Sequence, residues 1–177
     1  VLNTHLPWSN SRVYWDAGQT GGGYDRIDKL ANPSNFETNW NYWTFTKNNS
    51  TGEMKIYLNG QLWHSGTNLT KSMSGIVQFS IGAACTWSNY YRGDMDEFTL
   101  FNKALSESEI VELMNVGPQA SNPNYAQLQF HYTFNHDNNM LAIDEGPNGF
   151  HGQILGNPEH ISHELFYSNV QIESSTP

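Results

Sequence analysis

The sequence predicts an all-β protein, an antiparallel two-sheet sandwich with one short helix near residues 106–115. Short runs rich in aromatic and β-branched residues recur between Gly-, Asn- and Ser-rich turns, which is the spacing of antiparallel strands. Asn59-Gly60 separates two such runs, and both residues tolerate the positive φ of a type I′ hairpin. One clear helical signal is present: Ser106, with Glu109 three residues later, precedes the apolar stripe Ile110, Leu113 and Met114.

The elements follow in order. The opening "VLNTHLPW" reads as a strand, and "RVYWDAG" (Arg12 to Gly18) is a second, closed by glycine. "WNYWTFTKN" (Trp40 to Asn48) alternates large residues and ends in the polar turn "NNSTGE". In "MKIYLNGQLWHSG" a two-residue loop pairs Leu58 with Gln61 and Tyr57 with Leu62, and it sets Ile56 opposite Trp63. "GIVQFSIGA" (Gly75 to Ala83) turns Val77, Phe79 and Ile81 toward one face. The helix is marginal alone and must dock on a sheet; Gly117-Pro118 stops it. Residues 118–124 read as a boundary linker, after which "LQFHYTFN" resumes β-structure and "NGFHGQILGNP" is Gly-punctuated strand and turn.

Composition narrows the function classes. The chain has 177 residues, enough for one good core or two small ones. Charged residues are only 14%, against ~25% in an average soluble domain. The net charge is -9 with 8 Lys and Arg, which argues against binding nucleic acid, since that requires a basic patch. No apolar run approaches the ~20 residues of a membrane-spanning helix. With no initiating Met or signal segment, the chain reads as a mature product or a fragment of a longer one. Cys85 is the sole cysteine and is expected to be a small buried residue rather than a reactive thiol. The sequons at Asn48, Asn49 and Asn68 matter only in a eukaryotic secretory pathway.

Taken together, "WNYWTFTKNNSTGEMKIYLNGQLWHSG", "FSIGA" and "YYRGDMDEFTLFNKALSESEI" resemble the laminin-G-like group of concanavalin A-like jelly rolls. A Trp-rich strand, a "YLNG" hairpin, an "IG" strand, a G-x-x-D-E-F strand and an "ALS-x-x-E-I" helix occur in the same order. The resemblance covers residues 1–117, without the family's opening strands. Within the segment 125–177, residues 125–172 resemble those opening strands. The segment would belong to a second such domain or complete the first sandwich in permuted order. The resemblance implies a two-sheet jelly roll used as a binding or spacer module in secreted and surface proteins.

The acids of "DMDEF" are the first candidate site. On a strand, Asp96 shares a face with Phe98 and Leu100, so it needs hydrogen bonds or a cation. The resemblance adds that an opening turn and the G-x-x-D strand can share calcium. That makes Asp96, with Asp144 of the oxygen-rich "DEGPNG", the candidate calcium ligands. A glycoside hydrolase reading fails the spacing: the acids sit at 94, 96 and 97, and Thr99 and Phe101 stand where a further acid would be needed. No nucleophile–base set accompanies them. Arg92-Gly93-Asp94 reads as turn geometry rather than an adhesion signal. His160 and His163 lack an accompanying acid–His motif and read as a solvated loop. Most of the six tryptophans should be core. Trp87, with Tyr90 and Tyr91 in a polar loop, is the candidate saccharide-stacking site.

The expectation is therefore a non-catalytic binding or spacer module of a secreted or cell-surface multidomain protein. Its partners would be a glycan or an extracellular protein, and calcium is a candidate cofactor. The rival expectations are an accessory domain of a carbohydrate-active enzyme and a structural or adhesion module.

Overall fold

A computed structural model describes residues 1–19, 22–75, 78–86, 88–136, 140–156 and 158–161. The chain divides into two compact units. One comprises 1–94 and 103–114, the other 95–102 and 115–177.

The first unit is a sandwich of two antiparallel three-stranded sheets. Strands β1 (Leu2–His5), β2 (Arg12–Ala17) and β3 (Asp25–Leu30) form one sheet, in that order. Strands β4 (Trp43–Asn48), β5 (Glu53–Leu58) and β6 (Gln61–Gly66) form the other. Period-two alternation sends Val13, Trp15 and Ala17 of β2 inward, with Ile27 of β3, to meet Met54 and Ile56 of β5. Each large apolar side chain buried this way contributes roughly 2–3 kcal/mol. Trp15 also ties the layers together, its indole Nε1 donating to the Thr46 carbonyl at 3.0 Å.

A second tie is ionic. The fully buried Lys47 ammonium donates to Asp25 Oδ2 at 2.7 Å and to the Ala17 carbonyl at 2.9 Å. Lys47 lies on β4 and Asp25 on β3, so the pair joins the sheets.

The predicted hairpin is present. Asn59 and Gly60 have φ of 51° and 78°, and Leu58–Gln61 and Tyr57–Leu62 pair as expected. The next pair differs: Ile56 faces His64, because a bulge inserts Trp63 as an extra residue. The bulge re-aims Trp63 perpendicular to Trp43, ring centroids 5.3 Å apart, with Lys29 Nζ 4.6 Å from its ring centroid.

Helix α1 (Glu107–Val116) carries the capping box expected of its sequence: Glu109 Oε2 accepts the Ser106 N–H at 2.7 Å. It docks through Ile110, which is fully buried, and through Val111, whose Cγ2 would lie 2.9 Å from a Cβ placed on Gly60.

Three expectations are corrected. The described residues of 75–83 form no strand; Ile76 and Val77 lie outside the described residues. Phe79 is exposed, so its ring is not turned into a core as the alternation predicted. The strand drawn through Asp96 begins only at Phe98, because Glu97 takes a left-handed φ of 51° and breaks it. Cys85 is exposed, with its Sγ 3.3 Å from Ser80 Oγ.

The second unit pairs β7 (Phe98–Phe101) with β8 (Leu128–Tyr132) and β9 (Leu141–Ala142) with β10 (Gly152–Gln153), both antiparallel. Phe98, Phe130 and Tyr132 stack along the β7–β8 pair.

Candidate functional site

Strand register builds an ordered polar face on the solvent side of the β1–β2–β3 sheet. Inward residues alternate with Asn3 and His5 on β1, Arg12, Tyr14 and Asp16 on β2, and Arg26 and Asp28 on β3. The register aligns Asn3, Asp16 and Arg26 in one row and His5, Tyr14 and Asp28 in the next.

The two rows are locked. Arg26 grips Asp16 bidentately, Nε to Oδ1 at 2.6 Å and Nη2 to Oδ2 at 2.7 Å. Asp16 is buried beneath it, and Nη2 also reaches the Tyr24 hydroxyl at 3.1 Å. The guanidinium lies over Tyr14 at 4.7 Å and over Tyr24 at 5.2 Å. The Asp16 bond above all holds Arg26 still more firmly protonated than usual. Arg12 pairs with Asp28 in the neighbouring row. His5 sits edge-on to Trp8 at 4.5 Å, and its Nε2 meets Asn3 Nδ2 at 2.9 Å. Burial lowers the His5 pKa, reinforced by Arg26 and opposed by Asp16, so the ring is neutral at pH 7. Tyr24 and Trp8 remain 42% and 38% exposed at the ends of the array. Chemically this is a flat surface of exposed rings with fixed donors at their edges, suited to stacking on a sugar ring while hydrogen-bonding its hydroxyls.

The residues singled out from sequence are not among those of this face. Trp87 falls outside the described residues. Tyr90 is 68% exposed. Tyr91 is also exposed and packs its ring beside Gly93, and partial burial and then Asp94 push its hydroxyl pKa up.

Asp96 accepts the Glu97 N–H at 2.8 Å. Asp144 is buried, and its Oδ1 accepts the N–H groups of His131 and Gly146, each at 2.8 Å. Its Oδ2 accepts the Phe150 N–H at 2.7 Å. Burial opposes ionisation of Asp144, but these three bonds together outweigh it and depress its pKa. The two acids belong to one hydrogen-bonded chain, because Glu97 bonds His131 Nε2 at 2.8 Å and His131 N–H bonds Asp144. Three amide donors around one carboxylate suit an anion held by peptide N–H groups. These N–H groups take three of the roughly four lone-pair sites of the carboxylate, two on Oδ1 and one on Oδ2, so the donor set is a poor match for a shared calcium site. Among the described residues no cluster of three or more His, Cys, Asp or Glu is placed to hold a metal.

The sheet face was missed in the sequence, although "RVYWDA" displays it: Arg12, Tyr14 and Asp16 alternate with Val13, Trp15 and Ala17. The residues that complete the face come from β1 and β3, whose register the sequence does not display.

A laminin G family model, described as the concanavalin A-like lectin/glucanases superfamily, matches residues 3–111. The chain belongs to that superfamily. The match takes in every strand of the first unit, so the polar-aromatic face is a feature of the concanavalin A-like part of the chain. No curated protein matches the chain. Among solved structures, the chain is similar to an S-layer domain-containing protein from Clostridium thermocellum, at 22% identity and a TM-score of 0.40. That alignment covers 58% of this chain and 51% of the other, so the chain spans about half of that structure. Among the described residues no helix is long and apolar enough to cross a membrane.

Proposed function

We propose that this concanavalin A-like chain is a non-catalytic binding module of an extracellular or cell-surface protein, and that it holds a neutral saccharide against the β1–β2–β3 face. The carrying observation is the Tyr14–Arg26–Tyr24 stack, locked from below by the buried Asp16. A platform fixed before binding loses little conformational freedom on contact with ligand. Both carboxylates of the face are engaged by arginines, Asp16 by Arg26 and Asp28 by Arg12, and so serve to hold the platform.

A glycan array followed by titration tests this reading. Wild type is expected to bind a neutral oligosaccharide. Tyr24→Ala should weaken binding about tenfold, equivalent to ~1.4 kcal/mol of lost stacking, and Tyr90→Ala should leave it unchanged. Absence of glycan binding, or loss with Tyr90→Ala while Tyr24→Ala binds normally, would overturn the assignment of this face.

A further inference from the structure

Strands β1 and β3 are the edges of one sheet of the first unit, and β4 and β6 are the edges of the other. An edge strand offers unpaired N–H and C=O groups to any passing strand. Proteins normally blunt it with surface charge, a bulge or an inward-pointing charged residue. Strand β3 carries Asp25, Arg26, Asp28 and Lys29. Strand β4 turns the charged Lys47 inward. Strand β6 is bulged at Trp63, and Lys29 Nζ occupies the Trp63 carbonyl at 2.8 Å. Strand β1, "LNTH", has none of these devices: it carries no charged residue, no proline and no break in register.

Register fixes which groups β1 leaves open. Val1 and Gly18 exchange both backbone bonds: the terminal ammonium donates to the Gly18 carbonyl, and the Gly18 N–H donates to the Val1 carbonyl at 3.0 Å. Bonded and non-bonded pairs alternate along an antiparallel ladder. Asn3–Asp16 and His5–Tyr14 are therefore the next bonded pairs, and Leu2 and Thr4 turn their N–H and C=O groups away from β2. The far side of β2 agrees, since the Ser11 carbonyl accepts the Ala31 N–H at 2.9 Å and so sends the odd-numbered residues toward β3. Among the described residues no other strand pairs with β1, and nothing bonds the outward backbone groups of Leu2 and Thr4.

The charge pattern selects the partner. The chain has a net charge of -9, so two copies repel over most of their surface. Residues 1–11 contain no Asp, Glu, Lys or Arg, and His5 is neutral at pH 7. This edge is where a second copy meets least repulsion. An antiparallel strand pair is also self-complementary about a twofold axis. With the axis at Asn3, Leu2 stands opposite Thr4 of the other copy, and each such pair exchanges both N–H···O bonds. Asn3 meets its own counterpart, and a side-chain amide both donates and accepts.

We propose that the β1 edge is a self-association site, at which a second copy of this chain adds its own β1 antiparallel and joins the two three-stranded sheets into one. A four-residue strand buries little surface, so the dimer is weak and reversible. It does not depend on what the β1–β2–β3 face binds, and no sugar enters its test.

Sedimentation equilibrium and amide NMR of the full chain, from roughly 10 μM to 1 mM, follow the association. The average mass is expected to rise toward that of a dimer with concentration, while the Leu2 and Thr4 amides shift and gain protection from exchange. Thr4→Pro removes an outward N–H without touching the β2 ladder, and should keep the protein monomeric at the wild-type melting temperature. Asn3→Lys keeps every backbone donor but sets two ammonium groups opposite each other. It should weaken association about fivefold, and added salt should restore part of the loss. The proposal is overturned if wild type stays monomeric throughout, or if the Leu2 and Thr4 amides are already protected in the monomer. It is also overturned if both variants associate like wild type, which would put the contact on another surface. Binding of a neutral peptide of alternating Thr and Val, without self-association, would reassign the edge to a foreign strand and overturn it as well.

Discussion

Asp25→Ala is expected to destabilise the protein by about 3–5 kcal/mol, the usual cost of removing one partner from a buried ion pair. The Lys47 ammonium has no solvent exposure, and without Asp25 it would keep only the Ala17 carbonyl and the weak Met54 sulfur contact. The Lys71 N–H, 2.8 Å from Asp25 Oδ2, would lose its acceptor as well. Urea unfolding followed by tryptophan fluorescence measures the loss. Replacing both partners, Asp25→Leu with Lys47→Met, should recover most of it, because no unpaired charge then remains. The pH dependence carries a sign. Burial alone would raise the Asp25 pKa, but the Lys47 bond, the Lys71 N–H and their charges outweigh burial and lower it. A carboxylate with a depressed folded pKa contributes stability above its unfolded value, about 3.9. That contribution is lost as pH falls through the lower folded value. The gap between wild type and Asp25→Ala should be full at neutral pH and shrink below about pH 4. A loss under about 1 kcal/mol, or a gap unchanged down to pH 2, would refute this account.

Asp144→Ala should cost the second unit about 3 kcal/mol, because it strands three peptide N–H groups that one carboxylate now satisfies. Asp144→Asn should cost about 2 kcal/mol: an amide keeps one acceptor oxygen but turns an N–H₂ toward a backbone donor. Amide hydrogen exchange at His131, Gly146 and Phe150 reads the effect locally, and all three should lose protection together. Melting with calcium and with chelator completes the experiment. Wild type should melt at one temperature in both. A calcium-dependent rise abolished by Asp144→Asn would show that the carboxylate serves a cation after all.

Legibility in the sequence followed the range of the forces involved. The Asn59-Gly60 turn and the Ser106–Glu109 cap are local chemistry, and both are present where expected. The bulge at Trp63 is not local, because packing against Trp43 and Lys29 sets it. Strand β3, "DRIDKL", went unread because it is mostly charged. Each of its charges is met from elsewhere: Asp25 by Lys47, Arg26 by Asp16, Asp28 by Arg12 and Lys29 by the Trp63 carbonyl. Those partners lie between 10 and 34 residues away in sequence. The Asp144 clasp was hidden for the same reason, since an oxygen-rich turn reads equally as a cation loop until the direction of the surrounding N–H groups is known.

The two units are interlaced along the chain. Strand β7 belongs to the second, yet it lies between the two stretches, 1–94 and 103–114, that make the first. A fragment ending at Gly117 would keep every strand and the helix of the first unit, but it would strand β7 without Leu128–Tyr132. One ending at Asp94 would lose the helix whose Val111 rests on Gly60. No single cut therefore releases either unit whole. The division between them has no one address in the sequence, and a truncation series would show partial losses at each end instead of a clean step.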